Sequence, residues 1–176
     1  MSKVLRGKAW VFDGILDVDW EICPYETLRQ LREQGTPITY EELGRYCMTK
    51  VDQDFPRKVQ RGDFIVAGEG MGYGHDHASM SIRGAGVGAV LCESTNANFL
   101  RNSFDHGLPV LEVRGIKAAV QQGDELEVDL ERGTVQNCRT GAALTFKPLP
   151  DFLLQMLEDG GLYPHLERRV KAGVLR

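Results

Sequence analysis

The stretch Gly68-Glu69-Gly70-Met71-Gly72-Tyr73-Gly74-His75-Asp76-His77 gathers the residue types that acid–base chemistry on an anion requires. Glycine admits positive φ and lets a ligand approach the main chain closely, and here it recurs at 68, 70, 72 and 74. The apolar run Phe64 to Ala67 before it reads as a strand, and the residues from about His77 to Arg83 read as a helix. A helix N-terminus carries unpaired N–H groups and partial positive charge, so it attracts carboxylate or phosphate. Strand, glycine loop and helix start together predict an anion site. Gly72, Tyr73 and Gly74 would lie against the substrate, with His75, Asp76 and His77 as the ionisable groups beside it.

Each of these side chains has two readings. His75 carries an imidazole, the side-chain type suited to acid–base work near neutral pH, or it is a solvent-facing loop residue. Asp76 is an acid or a helix cap. His77 orients a neighbour or makes a purely structural hydrogen bond. Ser79 and Ser81, two apart on a helix, point different ways, so at most one faces the site; Ser79 is the candidate for substrate contact, and the other reading of both is an ordinary packed helix serine. His75-x-His77 offers two metal ligands, and two do not make a site.

The elements that must position these residues follow from pattern and punctuation. Lys8 to Phe12 reads as a strand. Pro24 to Gln34 is helix-compatible, and Thr39 to Tyr46 is a short helix with capping-box spacing between Thr39 and Glu42. After the loop come the buried strand Ala89 to Cys92, a helix from Ser94 to Phe104 and a strand from Leu108 to Val113. This alternation implies an α/β domain with a parallel core sheet and right-handed crossovers. Gly123 to Leu130 then alternates apolar and polar, turns at Arg132-Gly133 and returns at Thr134-Val135, the pattern of an antiparallel hairpin. Leu153 to Leu157 is a last helix that Gly160-Gly161 stops.

With 176 residues the chain fits one domain over 1–176 and can bury a real core. A net charge of -4 without a basic patch gives no reason to expect nucleic acid. No apolar run approaches the ~20 residues needed to span a bilayer. The N-terminus has no signal-peptide pattern, which points to the cytoplasm. Cys23, Cys47, Cys92 and Cys138 stand too far apart for a zinc knuckle, a redox motif or an iron–sulfur ligand set.

The order of these segments resembles the small subunit of isopropylmalate dehydratase, the swivel domain of the aconitase superfamily. The resemblance is carried by Gly7-Lys8-Ala9-Trp10-Val11-Phe12 with Asp17-x-Asp19, Cys47-Met48 before Asp54-Phe55, and Gly62-Asp63-Phe64-Ile65-Val66-Ala67-Gly68. His77-Ala78, Ser94, Phe99-x-Arg101-Asn102, Gly107-Leu108-Pro109-Val110-Leu111-Glu112 and Pro148 through Leu162 continue it. It implies a swivelling β/β/α fold and a separate large subunit that holds an iron–sulfur cluster, with none bound by this chain alone. The pair would dehydrate and rehydrate a hydroxy acid. Arg101 matches a retained family position and joins the substrate-binding candidates. The family's loop usually reads Gly-x-Gly-Ser-Ser-Arg-Glu-His-Ala, with a serine as base and the arginine on a substrate carboxylate. Here the loop is two residues shorter. His75 falls at the arginine and Asp76 at the glutamate, both serines are gone, and Ala97 stands where a second arginine belongs. An alternative reading is therefore a non-catalytic swivel domain that binds a partner or a small anion.

Overall fold

The structure, a computed structural model, describes residues 3–72 and 75–174. Seven strands form a sheet: β1 (Val4–Val11), β2 (Phe64–Ala67), β3 (Ala89–Cys92), β4 (Val110–Glu112), β5 (Glu125–Asp129), β6 (Thr134–Asn137) and β7 (Ala143–Thr145). Their spatial order is β4-β3-β2-β1-β5-β6-β7. The β4-β3-β2-β1 half is parallel and the β1-β5-β6-β7 half antiparallel. β1 joins the halves by pairing Ala9–Val11 with β2 and Val4–Lys8 with β5. The helices are α1 (Tyr25–Glu33), α2 (Tyr40–Gly44), α3 (Phe55–Lys58), α4 (Asp76–Gly84), α5 (Ala97–Asp105), α6 (Ile116–Ala119), α7 (Asp151–Asp159) and α8 (Leu162–Lys171), with a π-helical turn at Val18–Ile22.

The expected α/β architecture, with a parallel core and an antiparallel hairpin, is present. β2 and β3 are buried along their whole length, which is why they read as unbroken apolar runs. Successive side chains of β2 feed opposite faces. Ile65 and Ala67 join Phe12, Met71, Ile82 and Phe99 in one apolar layer, and Phe64 and Val66 join Leu91, Leu126, Val128 and Leu154 in the other. Asp63, almost fully buried, locks β1 to the start of β2. It accepts hydrogen bonds from the Lys8 amide (3.0 Å), the Trp10 indole (2.9 Å) and the Gln60 amide (2.9 Å).

Several details depart from the sequence reading. α4 begins at Asp76 rather than His77, and α3, α6, β7, α8 and the π-helical turn add to the expected elements. Gly160, at φ 94°, ends α7 as expected, but the chain resumes as a helix directly after Gly161.

Candidate active site

In parallel sheets, ligands bind outside the carboxyl ends of the strands. Here three connections meet at that edge: β1 to the π-helical turn, β2 through the glycine loop to α4, and β3 to α5. Gly72 adopts φ +75°, and a Cβ on it would lie 2.4 Å from Cγ of Phe99, so no larger residue fits without displacing that ring. The loop amides are already engaged. Gly70 N–H donates to Ser94 Oγ (3.0 Å), Met71 N–H to Ser94 O (3.0 Å) and Gly72 N–H to Leu16 O (3.0 Å). The Thr95 hydroxyl donates to Met71 O at 2.7 Å. These amides do not serve as the substrate donors that the glycine pattern suggests; they stitch the loop to its neighbours and fix where α4 starts. Tyr73 and Gly74 lie outside the described residues.

His75 is the N-cap of α4 and makes no side-chain capping bond. Asp76 therefore does not cap the helix. It sits at the first helical position, exposed, where its charge favours the helix dipole. His75 instead turns to the π-helical turn, where its Nδ1 lies 3.0 Å from each carboxylate oxygen of Asp19. With the Nδ1 proton facing that carboxylate, the neutral ring keeps the Nε2 lone pair as a base. This is the arrangement of a histidine oriented by an acid, which also stabilises the imidazolium once a proton is taken.

His77 completes the cluster. Its ring stacks on His75 with centroids 5.8 Å apart, and Tyr25 meets it edge-on at 6.3 Å. His77 Nε2–H donates to the Cys23 carbonyl at 3.0 Å and lies 3.4 Å from Asp19 Oδ1. Burial pushes the His77 pKa below its ordinary value, against the opposing pull of the Cys23 carbonyl and Asp19. A buried, neutral His77 clips α4 to the π-helical turn and so holds Asp19 against His75.

Asp19 is free for this role because Asp17 does the capping. The Asp17 carboxylate accepts from the amides of Asp19 (2.8 Å) and Trp20 (3.2 Å), while Glu21 accepts from the Asp17 amide (3.0 Å). Asp17-x-Asp19 enters the sequence pattern only as part of the family resemblance, with no site role for either residue. The available signal was its position directly after β1, the strand that pairs with β2 and so brings the two following loops together.

The structure does not bring the other candidates to this cluster. Ser79 is fully buried, and its Oγ lies 2.8 Å from Ser103 Oγ at the seam of α4 and α5. Ser81 donates to Leu43 O at 3.0 Å. Arg101 is exposed on α5 and reaches Asn102 Oδ1 at 3.4 Å.

The thiols do not fit an iron–sulfur cluster. Cys23, Cys47 and Cys92 are buried and Cys138 is exposed. Burial pushes the Cys23 thiol up to about 11, Cys92 to about 12, and Cys47 upward as well, whereas the ligand form is the thiolate. Among the described residues no three His, Cys, Asp or Glu side chains converge as a metal site, and no helix is long and apolar enough to cross a membrane.

No protein-family model matches the chain. Individual relatives do. The isopropylmalate/citramalate isomerase small subunit of Methanocaldococcus jannaschii is 40% identical over 172 residues, covering 97% of this chain and 98% of that protein. The chain belongs to the isopropylmalate dehydratase small-subunit family. The 3-isopropylmalate dehydratase small subunit 1 of Methanopyrus kandleri is 39% identical over 170 residues, 96% of this chain and 95% of that one. The crystal structure of 3-isopropylmalate dehydratase from M. jannaschii superposes with a TM-score of 0.84 at 29% identity, covering 97% of this chain and 98% of that chain. As a member of this family the chain is a small subunit of a dehydratase or isomerase complex.

Proposed function

We propose that this chain is one cytoplasmic swivel domain over 1–176 that pairs with a large subunit, and that the pair dehydrates and rehydrates a small hydroxylated dicarboxylic acid. The substrate is a small molecule, with no role for nucleic acid or membrane. The reading rests on one observation: in a chain 40% identical to an isomerase small subunit, an ionisable His75–Asp19 pair sits at the carboxyl edge of the parallel sheet. Hydro-lyase chemistry needs a base for a weakly acidic proton beside a carboxylate and a Lewis acid for the departing hydroxyl. The thiols here are unsuited to the second task, so the iron–sulfur cluster belongs to the large subunit. This chain supplies the first. His75 Nε2 takes the proton, Asp19 holds the ring and stabilises its charge, and His77 keeps the two elements together. Asp76, exposed beside His75, adds negative charge at the mouth of the site. The engaged loop amides leave Gly72 a shaping role, and Arg101 acts away from the reacting atoms.

Without the usual serines and arginines, the site holds a dicarboxylate less firmly by a two-pronged clamp, which histidine cannot reproduce. 3-Isopropylmalate is accordingly a poorer substrate than a less charged or differently shaped hydroxy acid. Coexpression with the large subunit, copurification and steady-state turnover on a panel of hydroxy acids test the reading. Copurification with turnover of at least one hydroxy acid is expected. A chain found in its native cells only as a homo-oligomer would overturn it.

A further inference from the structure

Beside Asp19 a cavity of about 680 Å³ opens between the π-helical turn, the start of α1 and the chain that follows α2. Asp19, Trp20, Glu21, Tyr25, Glu26 and Lys50 line it. Each lining carboxylate already has a partner. Asp19 takes His75 at 3.0 Å, Glu21 accepts from the Asp17 amide at 3.0 Å, and Glu26 pairs with Arg29 at 2.6 Å. The exposed Lys50 side chain makes no hydrogen bond or ion pair among the described residues, and its charge adds, after that of Arg29, to holding the Glu26 carboxyl below the usual range.

The backbone that presents Lys50 is held under strain. Met48, fully buried, has φ 59° and is the only non-glycine residue at positive φ among the described residues. Its amide donates to Ile22 O at 2.8 Å, and its carbonyl accepts from the amides of Val51 (2.9 Å) and Asp52 (2.8 Å). The strained turn is thus tied to the same π-helical turn that carries Asp19. Such conformations persist only where the surroundings over-determine them, and they cluster at ligand clamps.

We propose that Lys50 binds a substrate carboxylate in this cavity and so supplies the cation that the glycine loop lacks. The proposal deepens the reading of the chain as a subunit acting on a hydroxy dicarboxylate and rests on it. Trp20 and Tyr25, 73% and 50% exposed, would cover the carbon chain. Lys50 is the one cationic side chain of the lining, and the partners already on Asp19, Glu21 and Glu26 temper the repulsion those carboxylates exert on an anion. Glu26 competes for Lys50, so neutralising Glu26 strengthens anion binding.

The test is a titration of malate into the full chain, read by tryptophan fluorescence, with Trp20→Phe to verify that the signal comes from the cavity. Losing a charged hydrogen bond corresponds to roughly a tenfold or greater loss of affinity. Lys50→Met is expected to raise the dissociation constant by about tenfold or more. Lys50→Arg should remain within about threefold, and Glu26→Gln should lower the constant. In the assembled complex Lys50→Met should reduce kcat/KM chiefly through KM, and the loss should vanish with a substrate whose bound carboxylate is replaced by an amide. Equal malate affinity in wild type and Lys50→Met, or no saturable binding by wild type, overturns the proposal. A complex that turns over no hydroxy acid while malate binding still depends on Lys50 refutes the hydro-lyase reading instead.

Discussion

Replacing Asp19 by asparagine removes the charge that faces His75 while keeping the size of the side chain. The pair lies at 3.0 Å, with side-chain exposures of 29% for Asp19 and 60% for His75. A buried charge-assisted bond contributes about 1.5–3 kcal/mol, and exposure discounts it toward about 1–2 kcal/mol. In the hydro-lyase cycle that amount appears when His75 becomes an imidazolium, so kcat is expected to fall by roughly 5- to 30-fold. The assay is steady-state turnover of the reconstituted complex for wild type, Asp19→Asn, His75→Ala and the double variant, with urea midpoints to verify folding. Because Asp19 acts through His75, the two substitutions must be strongly non-additive. Asp19→Asn should cost almost nothing once His75 is alanine. Independent, multiplicative losses would refute the dyad, and so would an unaffected His75→Ala complex.

The fold itself makes two further predictions. Gly72→Ala forces a side chain into positive φ and against the Phe99 ring, about 1–2 kcal/mol for the backbone and about 1–3 kcal/mol for overpacking. Denaturant melts should show a loss of about 2–5 kcal/mol, and a change below about 0.5 kcal/mol would contradict the loop geometry. His77 and the half-buried His106, the residue that ends α5, are both held below the ordinary histidine value of 6.5, chiefly by burial. The unfolded chain therefore binds more protons than the folded one as pH drops below that value. Stability present above pH 6.5 is lost as pH falls through the lower folded values. The urea midpoint should be lower at about pH 5.5 than at about pH 7.5, with a smaller difference in His77→Gln; an unchanged midpoint would show that these rings are not buried neutral.

Much of the frame was legible because local pattern and tertiary demand agree. β2 and β3 coincide with the expected strands since each is an apolar run that a glycine-containing turn precedes. α2 begins where Thr39 accepts from the Glu42 amide at 3.1 Å, as the capping-box spacing requires. The site was less legible, because its key contact joins residues 56 apart in the chain. His75 and Asp19 meet only because β1 and β2 are parallel neighbours, a pairing that periodicity does not reveal. The engaged amides of Gly70 and Gly72 were invisible for the same reason, since Ser94 and Leu16 come from other loops. Ser79 shows the limit of helical spacing: it gives a direction but not what lies there, and here Ser103 does. α8 was missed because a glycine pair reads as an end, whereas Gly161 at φ 118° bends the chain into a new helix.

The most direct test of the central claim is a titration of the purified chain into its cluster-bearing large subunit, with hydroxy-acid dehydration as the readout. Neither component alone should turn over. Activity should rise with added chain and level off at equimolar ratio, and His75→Ala should saturate at the same ratio with turnover depressed roughly a hundredfold or more. Activity of the large subunit that is independent of this chain, or an equally active His75→Ala complex, would contradict the account.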